Sequence, residues 1–199
     1  MNFNFDEQYT LEDSRVLLRP LEASDRANLL PFALGEKDLW QYSLISARGA
    51  KQFDNYMSIA LESRTNRTAY PFIVYDKQYD AYSGSTRFYD IQLSHDTMQL
   101  GCTWYGEKYW GTGLNKHCKF LLLEFAFDTI GAERVEFRAD NNNARSIAAM
   151  KSIGCTVEGV LRSNCKSLTG RRDSIILSIL KDEWNGNIRN KLREKLILA

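Results

Sequence analysis

Proline and histidine are scarce in this sequence, with three of the first and two of the second. So few prolines leave no Pro-rich hinge tract, and no repeat or low-complexity segment interrupts the chain. A single domain over residues 1–199 is the simplest organisation. Excess charge of one sign is also missing, since 26 Lys and Arg against 25 Asp and Glu give a formal net charge of +1. That balance argues against a dedicated nucleic-acid binder, which carries a basic surplus. The four cysteines, Cys102, Cys118, Cys155 and Cys165, form no CxxC pair and no metal-ligand spacing with His95 or His117. No metal site is expected, and the thiols read as reduced. The opening MNFNFDEQY has no basic start followed by an apolar run, and no segment approaches the ~20 apolar residues of a membrane span. These absences predict a cytoplasmic protein without a membrane partner.

What is present is a 44% hydrophobic chain whose apolar residues change period along its length. Arg15 to Arg19 reads as a strand stopped by Pro20, and Ser24-Asp25 as helix caps ahead of Leu29, Leu30 and Phe32. Phe53, Met57, Ala60 and Leu61 recur at helical spacing. Three strand-like runs follow, Pro71 to Tyr75, Ser83 to Ile91 and Thr97 to Tyr105, separated by polar breaks that predict an antiparallel meander. Beyond them lie a glycine loop, a helix to Gly131, a strand Arg134 to Arg138 and a helix Asn143 to Ile153. Two more strands, Thr156 to Leu161 and Ser174 to Leu180, precede a charged helical tail, Glu183 to Leu198. A strand–helix–strand unit after a meander implies an α/β, or α+β, fold. Its mixed sheet is antiparallel at the front, with a parallel pair joined by a right-handed crossover.

The glycine loop carries the chemistry. Glu107 to Lys116 (EKYWGTGLNK) leaves a strand and opens a helix, where free amides and the helix dipole favour an anion such as pyrophosphate. A Walker loop requires Gly-Lys-Ser/Thr, but Lys116 stands between Asn115 and His117. A dinucleotide fingerprint requires a third glycine where Lys116 stands. Lys108 to Gly113 fits a third pattern: a basic residue or Gln, two residues of any type, Gly, any residue, then Gly or Ala.

With that loop the chain resembles the GNAT acetyltransferases, and among them the RimJ/RimL-like branch, which acetylates protein N-termini and small amines. The likeness extends over almost the whole chain. It takes in Leu18-Arg19-Pro20-Leu21, Tyr70 to Val74, Gly84 to Phe88, Leu100 to Trp104, Asn143-Ala144-Arg145-Ser146, Glu158 to Arg162 and Gly170 to Asp173. It implies the acyl-CoA N-acyltransferase fold, with a splayed parallel strand pair flanked by helices. It also implies acetyl-CoA as co-substrate and an amine acceptor, either a peptide N-terminus or a small molecule. A homodimer through an edge strand also fits.

On this resemblance the cofactor-binding residues are Trp104, Tyr105, Lys108, Gly111, Thr112, Gly113, Leu114, Asn115, Asn143 and Ser146. Pyrophosphate would lie on the loop amides, and pantetheine would pair with backbone in the splay. A neutral amine attacks the thioester directly, which calls for a base, an oxyanion donor and an acid for the leaving thiolate. The backbone at Trp104 or Tyr105 supplies the oxyanion donor. Met150 stands where many relatives carry an acidic Tyr, which moves that role to Ser146. Cys165 stands where the branch can carry a Glu, so the base is sought in Glu107, Asp90, Tyr89 or His95, with Glu107 as the choice. Trp40, Arg87 and Tyr89 are taken as the acceptor pocket. The rival reading, from Met150 and Cys165, is a non-catalytic acyl-CoA-binding or sensor protein.

Overall fold

A computed structural model describes residues 1–197. Its centre is an eight-stranded sheet in the order β1-β2-β3-β4-β5-β6-β8-β7. The strands are β1 (Leu11–Glu12), β2 (Val16–Pro20), β3 (Ala69–Asp76), β4 (Ala81–Gln92), β5 (Thr97–Tyr105), β6 (Arg134–Asp140), β7 (Thr156–Ser167) and β8 (Gly170–Leu180). All neighbours are antiparallel except β5 and β6, which α3 (Leu114–Glu124) joins by a crossover.

Helices α1 (Arg26–Gly35) and α2 (Ala50–Thr65) cover one face of the sheet; α3 packs on the other. Two apolar clusters follow from this division. One gathers Phe72, Phe88, Leu100 and Phe137 against Leu114, Leu122 and Trp184. The other gathers Leu29, Phe53, Met57 and Ile73 around Trp40 and Trp104. Each of these large side chains contributes about 1.5–3 kcal/mol by leaving water. Helix α4 (Ala144–Ser152) caps the far end of β6, and the short α5 (Lys181–Glu183) leads through a wide turn, Trp184–Ile188, into α6 (Arg189–Ile197). Arg189 and Arg193 of α6 both reach Glu124 at the end of α3.

The parallel pair is the feature that makes a cleft. Strands β5 and β6 pair only at Thr97↔Arg134, Met98↔Val135 and Gln99↔Glu136. Beyond those pairs β6 stays with β8, while β5 stays with β4 as far as Gly84↔Tyr105. The divergence begins at Cys102, which adopts φ 48°, where the β4–β5 register slips between Ser85 and Arg87. A bulge there bends β5 away from its parallel neighbour.

One detail differs from the sequence reading, the Asp25 cap, and two go beyond it. Strand β8 inserts between β6 and β7, antiparallel to both, because the β7–β8 hairpin folds back into the gap. Asp25 does not cap α1 with its side chain; it is buried, takes both Nη atoms of Arg19 and accepts from the Glu22 N–H. The two-residue β1 pairs with β2 and was not anticipated, being too short to show periodicity.

Candidate active site

After β5, a single 3-10 turn, Glu107–Tyr109, leads into a loop with φ 74° at Gly111 and 88° at Gly113. Both values fall where side chains with a Cβ are disfavoured, so glycine fits the conformation here. Gly113 is the N-cap of α3 and brings no side-chain acceptor, which leaves first-turn amides for an incoming anion. A Cβ built on Gly111 meets nothing within 4 Å, so the space beside that backbone is open.

The loop is braced from sequence-distant places. Thr112 Oγ1 donates to Tyr109 O at 2.8 Å, and Thr112 O accepts from Arg15 Nη1 at 3.4 Å. Arg15 in turn grips the fully buried Asp76 through Nε at 2.9 Å and Nη2 at 3.0 Å. His117 pairs with Asp13 at 2.7 Å, and Asp13 also accepts the backbone N–H groups of Arg15 and Val16. His117 is therefore a tether from α3 to the start of β2. From the other side, Glu36 accepts the Glu107 N–H at 2.9 Å, and burial raises the Glu36 carboxyl above its ordinary range.

Across the splay stands the start of α4. Asn143 caps that helix by accepting the Ser146 N–H at 3.1 Å, which holds Ser146 in its first turn. Trp110 reaches into the gap: its Nε1 donates to Tyr105 O at 2.8 Å, and Arg145 of α4 lies 3.5 Å from its ring centroid. Tyr42 OH donates to Asn142 O at 3.2 Å, bringing the α1–α2 connection to the same rim. Beneath the splay, Lys119 Nζ donates to Thr103 Oγ1 at 2.8 Å, and Thr103 meets Thr86 Oγ1 at 2.7 Å. Burial lowers the Lys119 ammonium to about 8.

Several expected site residues take different places once their side chains are followed. The Tyr105 phenol lies in the core with no hydrogen-bond partner, and burial pushes it well up, so only its backbone fronts the gap. Trp104 also packs in the core, its Nε1 donating to Tyr56 OH at 2.9 Å, and the Leu114 side chain is fully buried. For Trp104 and Leu114, any cofactor contact is thus left to the main chain. Trp40 is 3% exposed, packed at a tilt against Tyr56 and Trp104, which makes it a wall of the α1–α2 cluster rather than an open pocket residue. Met150 is core. Glu107, Lys108, Asp90 and His95 are exposed. Asp90 is held by Gln92 and Gln99, and Lys108 leans over the Tyr109 ring at 4.8 Å. Arg87 and Tyr89 lie together on the α1–α2 face of β4, and Tyr89, raised by burial, has its ring 3.0 Å from the place of a Cβ on Gly101.

Lys119, Arg15 and Asp76 were not singled out from sequence, and Arg172 entered only within the Gly170 to Asp173 block, with no role of its own. Nothing local marks the first three, because each gains its meaning from a strand or helix far away in the chain.

Comparison with known proteins follows the same geometry. A family model described as Acetyltransferase (GNAT) domain matches residues 15–156. The chain is 27% identical over 184 residues to Uncharacterized N-acetyltransferase p20 of Bacillus licheniformis, covering 89% of this chain and 99% of that one. A crystal structure of a GCN5-related N-acetyltransferase from Brucella melitensis superposes with a TM-score of 0.88 at 22% identity, covering 96% of this chain and 86% of that one. Mycobacterium smegmatis RimJ in complex with CoA-disulfide superposes with a TM-score of 0.80 at 16% identity, covering 94% and 93%. Among the described residues no helix is long and apolar enough to cross a membrane, and no cluster of three or more His, Cys, Asp or Glu forms a metal site.

Proposed function

The chain belongs to the GNAT acetyltransferase family and is an acyltransferase; from that premise we propose that it moves the acetyl group of acetyl-CoA to a primary amine, in the manner of the RimJ/RimL-like branch. One observation carries the cofactor assignment. A glycine loop with two left-handed glycines, Gly111 and Gly113, opens α3 beside a splayed strand pair, so free helix-start amides and a strand-shaped gap lie end to end, which suits an anion joined to an extended arm. Mycobacterium smegmatis RimJ, solved in complex with CoA-disulfide, shares this fold.

In this reading the amides from Gly111 to Asn115 take the pyrophosphate, with Lys108 and Arg145 adding positive charge at the rim. The pantetheine arm lies between β5 and α4, where Asn143 and Ser146 face it. It meets Tyr105 O, the acceptor now used by the Trp110 indole, so Trp110 yields that hydrogen bond when the arm enters. The acceptor amine comes from the α1–α2 face, past Arg87 and Tyr89. A main-chain N–H near Tyr105 stabilises the oxygen of the tetrahedral intermediate. Ser146 protonates the leaving thiolate, and the amine proton leaves through Glu107 or water at the cleft mouth.

The test is thiol release from acetyl-CoA across a panel of amines and N-terminal peptides, alongside calorimetric titration of CoA. Saturable CoA binding with amine-dependent thiol release supports the reading; protein that does not bind CoA ends it. CoA binding without turnover of any amine would favour the non-catalytic acyl-CoA-binding alternative, which rests on Met150 and Cys165.

A further inference from the structure

Most guanidiniums drawn out of water in this protein are matched. Arg19 pairs with the buried Asp25, Arg15 with the buried Asp76, and Arg134 with Glu136 and Glu158. Two are not. Arg87 and Arg172 are 7% and 8% exposed, each has a buried Nε without a hydrogen-bond partner, and neither pairs with a carboxylate among the described residues. An unmatched buried charge is costly, and its partner is then sought in a ligand.

Both arginines belong to one face. Arg87 lies on β4 opposite Gly101, with its guanidinium 5.3 Å from the centre of the Tyr56 ring, which offsets part of its desolvation. Arg172 lies on β8 in step with Ser174 and Ile176, the partners of Asp140 and Arg138, so it shares the side of the sheet to which Arg138 belongs. Its cross-strand neighbour on β7 is Cys165, which brings no carboxylate. Tyr89 lies between the two positions: it shares Arg87's face of β4, two residues on, and its ring leans over Gly101 of β5 toward the gap. Burial raises its phenol, with Arg138 and Arg172 opposing that rise and Glu136 adding to it. Between them, β5 leaves β6 at the Cys102 bulge. The unmatched charges thus flank the gap on the side opposite α3.

We propose that Arg87 and Arg172 form an anion subsite beside the cleft, so that the acceptor is an amine bearing a carboxylate or phosphate group. The inference rests on the acetyl-transfer reading for its amine, but the subsite itself is a binding property of the two arginines. A guanidinium presents paired N–H donors that suit either oxyanion. Bound there, the anion would hold the acceptor by its charged end, leaving the amine free to turn toward the gap. A peptide N-terminus with neutral side chains has no such group and would leave both arginines unmatched.

The experiment compares matched acceptors in the thiol-release assay: α- and ω-amino acids against their amides, and aminoethyl phosphate against ethanolamine. The anionic member should show a KM lower by roughly 30-fold or more. Whether the acids or the phosphate gain most tells carboxylate from phosphate. Arg87→Gln and Arg172→Gln should each erase most of that preference, while unchanged calorimetric affinity for CoA reports an intact fold. Titrating N-acetylglycine and N-acetylglycinamide into the protein, with and without CoA, reads the subsite without turnover, and only the acid should bind. Equal use of charged and neutral amines, equal binding of acid and amide, or a variant that binds CoA normally and keeps the preference would overturn the subsite. Failure of CoA to bind counts against the acetyl-transfer reading instead, and the titration without CoA still decides the subsite.

Discussion

Lys119 Nζ hydrogen-bonds Thr103 Oγ1 at 2.8 Å from inside the sheet–helix interface, and no carboxylate pairs with it among the described residues. Its ammonium is lowered from 10.5 to about 8 by burial. Below pH 8 both folded and unfolded chains carry the proton, so the folded state bears the full desolvation cost. Between pH 8 and 10.5 the unfolded chain binds the proton and the folded chain does not, so this group's contribution to stability rises with pH. Cys118 and Cys155, raised from 9.0 to about 12, act in the opposite sense above pH 9. Lys119→Met should therefore raise stability at pH 7 by about 2 kcal/mol, after loss of the Thr103 hydrogen bond, and this gain should shrink by pH 10. Urea unfolding of both proteins at the two pH values checks it; a destabilised variant at pH 7 contradicts the assignment.

Gly111→Val separates fold from ligand. A Cβ there meets no protein atom within 4 Å, but φ 74° strains any residue that has one, at about 1–2 kcal/mol. The variant should stay folded, with a modestly lower melting temperature, and bind CoA roughly ten-fold or more weaker because the branched side chain occupies the open space. Unchanged affinity by calorimetry would remove the loop from the pyrophosphate site.

Asp76→Asn addresses the brace. Asp76 is fully buried and holds both arms of Arg15, which reaches Thr112 O in the loop. Removing its charge leaves Arg15 unmatched in a mostly buried place, at about 3 kcal/mol. Denaturation should show that loss, and the surviving folded protein should bind CoA less tightly than wild type.

Trp110 is an internal reporter. Trp40, Trp104 and Trp184 are 3%, 7% and 0% exposed, whereas Trp110 is half-buried and occupies the gap. Adding CoA should change the tryptophan emission, and Trp110→Phe should abolish the change while the other three indoles keep theirs. A signal that survives the substitution would place the ligand elsewhere.

Ser146→Ala tests the acid. The hydroxyl sits in α4's first turn beside the Asn143 cap. Its loss should lower kcat by roughly 10²-fold with little change in CoA affinity; an unchanged kcat would transfer the role to another donor or to water.

The extent to which this protein can be read from its residues depends on the range of the interactions. The meander, the α3 glycine loop and the Asn143 cap are local: alternation of period two, positive φ at glycine and a side chain accepting from three residues ahead each leave a mark within a short window. Hence the α/β class and the anion-ready loop were legible before any coordinates. The burial of the Trp40 and Tyr105 side chains was not legible, because an aromatic beside a motif looks the same whether it lines a cleft or fills a core. Only packing settles which.

Tertiary structure alone decided the rest. Arg15 and Asp76 lie 61 positions apart, and Lys119 and Thr103 lie 16 apart on different elements, so no local pattern announces either pair. The insertion of β8 between β6 and β7 sets Arg172 beside Cys165 and on the face shared with Arg138, and the Cys102 bulge opens the gap nearby. The sequence determined where an anion can meet a helix. Burial determined which charges remain without a partner, because the cost of a charge depends on what the fold removes from around it.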